Sequence, residues 1–234
     1  MLSAEGLIDS AILGCENAVE FYRASAVEYL LGHTTRTTVM PAHEQAEEDE
    51  WQKVWDARIG ALAPIFGRPT DTVYHATVPM YLGGFADVLS FPDYVPGMTY
   101  VTADLTGEDV GQLPSSLGNY ELMVCVREES SRAADMISRL ARYTCEAELE
   151  PGESMDLTNF FSDSVIEALL FTHPAEQPVQ FECLGQRYGL LLCIGITGAE
   201  LAFKRANGAD QLVAMLRERG VFPYTVLHRE SVTP

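Results

Sequence analysis

The segment FPDYVPGMTYVTADLTGED, residues 91–109, closes with Asp104, Glu108 and Asp109 in quick succession. Carboxylates so placed can share a proton, activate a water or clamp a cation. They do so only when an environment separates their pKa values and a substrate comes within reach. The sequence supplies the acids and shows neither condition. In a chain with 34 acidic residues carboxylates meet often, so this trio is read as solvated or facing a partner. No catalytic residue is assigned.

Other chemistry is equally spare. HEQAE at residues 43–47 resembles the opening of a zinc-binding H-E-x-x-H helix, but Glu47 stands where the second histidine belongs. His33, His43, His75, His173 and His228 are scattered, and no metal site is expected. The glycine-rich phosphate loops and the G-x-S-x-G elbow are missing, and the adjacent glycines of YLGGFAD (81–87) read as a turn. No cofactor is expected. Five cysteines without a C-x-x-C pair read as reduced, mostly buried thiols.

Elements must position whatever these residues do. Residues 2–31 carry Leu7, Ile8, Ile12, Cys15, Val19, Tyr22 and Leu30 at helical spacing, and GHTTRTTVMP (32–41) breaks it. A second helix is predicted over about 43–66, its acidic first turns suiting the helix dipole and Trp51, Trp55, Ile59 and Leu62 forming one stripe. Strands are predicted at 71–79, 84–92, 98–105, 120–129, 165–174, 178–185 and 187–197, with helices at 134–149 and 198–220. The expected fold is α+β: a mixed, largely antiparallel sheet flanked by helices. Residues 1–50 are expected to be a helical extension packed on a main domain at 51–234.

Length and composition fit a folded protein, with 47% hydrophobic residues over 234 positions. The longest apolar run, YGLLLCIGITG (188–198), is about half of a bilayer span. The start of the chain has no basic region ahead of its apolar residues, so a cytoplasmic location is expected. A formal charge of −19 repels phosphate backbones and anionic lipid, which argues against nucleic-acid and membrane partners. It favours encounter with a basic protein.

Read in order, a set of short signs resembles the suppressor of fused domain from about Trp55 to Val232. They are Tyr100-Val101-Thr102, Tyr120-Glu121-Leu122, Arg142-Tyr143, Glu200-Leu201 after a long apolar strand, and Tyr224-Thr225 followed by Arg229. The resemblance implies a binding fold without known catalysis. Animal members hold a zinc-finger transcription factor in the cytoplasm and clasp an extended peptide as an added strand. Compact bacterial relatives are associated with polymorphic toxin systems, where the domain is thought to act as an immunity protein. Where animal members commonly have Gly-Leu-Ser, this chain has Asp104-Leu105-Thr106, so capture of that particular motif is not carried over.

The expected function is therefore sequestration of a basic toxin or other protein partner through an acidic, strand-edged surface. Tyr100, Asp104, Glu108, Asp109 and Glu121 are the expected contact residues. A carboxylate-dependent hydrolase and a scaffold whose charge serves solubility alone are the alternatives. Converging acids beside a histidine in a deep pocket would mark the hydrolase.

Overall fold

The computed structural model describes residues 42–107, 110–157, 163–175 and 178–233, with side chains from residue 51 onward. The helix predicted over 2–31 and the break after it lie outside these residues. Helix α1 (Ala42–Phe66) agrees with the second predicted helix. It is followed by β1 (Val73–Tyr74), a single 3-10 turn (Met80–Leu82), β2 (Val88–Phe91), β3 (Met98–Thr102) and β4 (Tyr120–Val126). Helix α2 (Ser131–Tyr143), β5 (Ser154–Asp156), β6 (Ile166–Thr172), β7 (Gln180–Cys183) and β8 (Gln186–Thr197) come next. Helices α3 (Gly198–Asn207) and α4 (Ala209–Glu218) complete the set.

The eight strands form one sheet in the order β1-β2-β3-β4-β8-β6-β5, with β7 also paired to β8. All pairings are antiparallel except β4 with β8, where Tyr120 to Met123 run beside Gly189 to Leu192. Strands β6 and β7 lie end to end along the same side of β8, the first beside its C-terminal half and the second beside its N-terminal half. The sheet is thus mixed and mainly antiparallel, with helices on it.

Both faces of the sheet are covered, which explains why β4 and most of β8 read as unbroken apolar runs. One face packs Leu62 and Phe66 of α1 and Leu201, Leu212 and Leu216 of α3 and α4 against Met123, Leu190, Leu192 and Ile194. The other face packs Ala134, Ile137 and Ala141 of α2 against Tyr100, Leu122, Val124 and Leu191. Burying each such leucine or isoleucine contributes about 1.5–3 kcal/mol, and residues from Asp49 to Pro234 form one compact unit on this core.

Three differences from the sequence reading have local causes. The strand expected over 71–79 shrinks to Val73–Tyr74, because the chain turns away through His75 and Ala76 to Asp87, whose carboxylate accepts from both. Strand β5 falls in the glutamate-rich stretch after α2, whose polarity hid it, and is set in place by Gly152 N donating to Phe171 O at 2.7 Å. Helix α2 starts three residues earlier than expected, because Ser130 caps it by accepting from Ala133 N.

Candidate protein-binding site

Strand β3 ends where its ladder with β4 gives way to a side chain. The last paired residues are Val101 and Met123. Beyond them Leu122 N donates to the Thr102 hydroxyl at 2.8 Å in place of a carbonyl. The same hydroxyl donates to Glu121 Oε2 at 2.5 Å. Freed from β4, the chain stays tied to β2 through Ala103 N donating to Asp87 O at 2.9 Å, then crosses to α1.

There Arg58, buried on the sheet-facing side of α1, holds it. Its Nε donates to Thr106 O at 2.7 Å and its guanidinium meets Asp104 Oδ1 at 3.2 Å. Asp104 Oδ2 also accepts from Asp87 N at 2.8 Å. Gly107 N donates to the Tyr188 hydroxyl of β8 at 3.1 Å. Segment 102–107 is therefore a fixed ledge fastened to α1, β2, β4 and β8 at once. Gly107 has φ 88°, a left-handed conformation that favours glycine, and the end of the Leu184 side chain lies 2.9 Å from where a Cβ would be.

Glu121 lies beneath the ledge with no exposed surface. Burial raises its pKa to about 8; the hydrogen bond from Thr102, the nearby Thr106 hydroxyl and the charge of Arg58 draw it down, and Asp104 pushes it up. The acid is then mainly neutral at pH 7. Its Oε1 and the nearby Thr106 hydroxyl complete no hydrogen bond of ordinary geometry. Cys183, at the end of β7, is close enough for the same charges to act on it. Burial raises its pKa, Arg58 opposes that, and Glu121 adds to it.

The expected contact residues are thus distributed unequally. Asp104 and Glu121 come together at the ledge, and Asp104 retains 18% side-chain exposure. Glu121 is an internal group. Tyr100 is also fully buried: its ring meets Tyr74 edge-on at 5.6 Å and its hydroxyl accepts from Ser130 N at 2.8 Å. Burial raises the pKa of that hydroxyl. Neither Tyr100 nor Glu121 offers surface to another chain in this structure, because β3 and β4 lie inside a sheet covered on both faces. Glu108 and Asp109 lie outside the described residues. Sequence reading missed Arg58, Thr102, Thr106 and Tyr188. Arg58 alone left a signal, as a cation among the apolar residues of α1 that requires an acid to be buried.

The signs near the C-terminus are also internal. Thr197 and Glu200 form a reciprocal cap at the start of α3. The Glu200 carboxylate accepts from both terminal Arg229 nitrogens and from Val232 N, the last at 2.8 Å. These bonds hold the Glu200 pKa below its ordinary value against the opposing effect of burial. Thr225 Oγ1 accepts from Gly195 N at 2.8 Å, and Arg127 lies over the Tyr224 ring at 4.3 Å.

The model of the suppressor of fused protein (SUFU) family matches residues 86–230, a span that runs from the turn before β2 through the Glu200–Arg229 pair. The chain belongs to the suppressor of fused family. Three solved suppressor of fused structures share its fold. A SUFU homolog from Neisseria gonorrhoeae matches at 15% identity and TM-score 0.57, over 78% of this chain and 98% of its own. A Sufu–Fu complex matches at 14% identity and TM-score 0.59, over 76% and 92%. Drosophila Suppressor of Fused matches at 15% identity and TM-score 0.59, over 77% of this chain and 51% of its own, so the present chain spans about half of that protein. Comparison with curated proteins finds no match. Among the described residues no helix is long and apolar enough to cross a membrane, and no group of three or more His, Cys, Asp or Glu residues is placed to hold a metal ion.

Proposed function

We propose that this suppressor of fused domain is a non-enzymatic protein binder, an immunity-type inhibitor that sequesters a basic toxin or similar basic protein in the cytoplasm. The observation that carries the reading is the fixed ledge 102–107, bearing Asp104 and standing beside the β7–β8 turn. Only Asp104 and Gly107 of the ledge reach solvent; held by Arg58, Asp87 and Tyr188, they need little ordering when a partner arrives, which favours affinity. A net charge of −19 speeds encounter with a cationic protein. Glu108 and Asp109 follow the ledge in sequence and add to the acidic composition of this stretch. A relative with this fold has been solved as a Sufu–Fu complex, which supports protein binding as the use of the fold.

The test is affinity capture from the source cell extract, with the Asp104→Lys/Asp109→Lys chain in parallel. The expected result is a basic protein retained by the original chain, released by high salt and lost by the variant. That protein should arrest growth when expressed alone and be tolerated when the chain is co-expressed. Equal retention by the folded variant would show that this face is not the contact surface. Turnover of a small substrate by the purified chain would replace binding with catalysis.

A further inference from the structure

Leu184 is, among the described residues, the one non-glycine residue with positive φ, at 50°. With Gly185 at φ 76° it forms the two-residue turn joining β7 to β8. Hairpin turns with positive φ at both positions prefer Asn-Gly or Gly-Gly, and a leucine there brings its Cβ against its own backbone. Full burial could offset that strain, but the Leu184 side chain is 51% exposed. Local geometry disfavours leucine here, its packing beside Gly107 covers only part of it, and strain of this kind clusters at functional positions.

The surroundings suit such a role. Leu184 and Val54 of α1 both press on Gly107, at 2.9 and 3.5 Å from where its Cβ would be. One turn along α1 from Val54, half-exposed Trp51 stacks on Trp55 at 5.5 Å. Beside this apolar seam runs strand β7, which among the described residues pairs only with β8. Leu190 N donates to Val179 O at 2.9 Å, and antiparallel alternation then turns the backbone groups of Gln180 and Glu182 away from β8.

We propose that Leu184 is the apolar anchor of a docking surface that receives an extended, basic strand of the partner along the outer edge of β7. The inference rests on the protein-binding reading and names where and in what form the partner lies. An added strand satisfies the outward backbone groups of Gln180 and Glu182, and an apolar side chain of that strand covers Leu184. Cationic side chains suit exposed Glu182, whose contact with Arg187 at 3.9 Å between two exposed groups binds it weakly. A second copy is the poorer occupant, because it brings the same −19 charge and the same glutamate to the edge.

The experiment uses the full chain, Leu184→Asn and two labelled ten-residue peptides, (Lys-Val)5 and (Glu-Val)5, read by fluorescence anisotropy and thermal melting. Asparagine tolerates the left-handed turn, so the variant should melt about 2–4 °C higher. It should bind (Lys-Val)5 about tenfold more weakly, the loss typical of an interface anchor. The original chain should bind (Glu-Val)5 far less well than (Lys-Val)5. Equal peptide affinity in the two chains, or a variant that melts lower, would overturn the role of Leu184. Retention of a basic protein through Asp104 without (Lys-Val)5 binding would refute the β7 edge and leave the binding reading intact. Failure of both would remove that reading as well. Self-association abolished by Leu184→Asn would make the occupant a second copy and end the proposal.

Discussion

At Glu121 a carboxyl group has been taken fully out of water and given one firm donor, the Thr102 hydroxyl. With its folded pKa at about 8 against an ordinary value of 4.5, the native state binds more protons than the unfolded chain between those limits. Stability contributed by the neutral acid is therefore complete below about pH 4.5 and lost as pH rises toward 8. Urea unfolding from pH 5 to 9 should show that decline, on the order of a few kcal/mol. Glu121→Gln should flatten it while keeping the fold. An equal slope in the variant would place the proton elsewhere. Tyr100→Phe tests the neighbouring strand: loss of the hydroxyl that receives Ser130 N should cost about 1 kcal/mol and leave partner binding unchanged. These two residues were singled out as contacts because sequence reveals their type and not their burial, and their polar atoms serve the interior.

Among the elements, the junction of β8, α3 and the chain beyond α4 depends on one buried pair. Glu200 caps α3 and takes the Arg229 guanidinium with both side chains buried. Removing one partner leaves an uncompensated buried charge, so Arg229→Ala should lower unfolding free energy by about 3–5 kcal/mol. Thr197→Ala, which removes a single cap bond, should cost about 1 kcal/mol. Comparable losses in denaturant melts of the two variants would show that the pair is not the main tie. The pair also sets an acid limit, because a depressed Glu200 pKa contributes stability above the ordinary carboxylate range that is lost as pH falls through the folded value. The helices and long strands were legible because their periodicity and caps are local. Strands β1 and β5 were not, since a strand of two or three residues exists only through its neighbour.

For the whole molecule, the governing quantity is charge. An excess of 19 negative charges acts over about 10 Å at 0.1 M salt. The association rate with a basic partner should therefore fall by at least about tenfold between low salt and 0.5 M, with a smaller change in dissociation rate. Stopped-flow mixing across that range measures it, and a flat rate would remove steering from the account. A chain beginning at residue 42 tests the predicted packing of the N-terminal helix. If that helix covers apolar surface of the main domain, the shortened protein should aggregate; a monomer of equal melting temperature would show that it does not.

What the sequence by itself determined was the class of molecule: α+β, acidic, of the suppressor of fused family, with most helices and long strands in place. Fold class and charge follow from composition and period, and the family from the resemblance of short motifs, all of which are written along the chain. Only the tertiary structure decided that Tyr100 and Glu121 face inward, that Arg58 meets Asp104 across 46 positions, and that a leucine occupies a glycine-like turn. Such facts depend on which surfaces the folded sheet covers, and burial is created by residues distant in sequence.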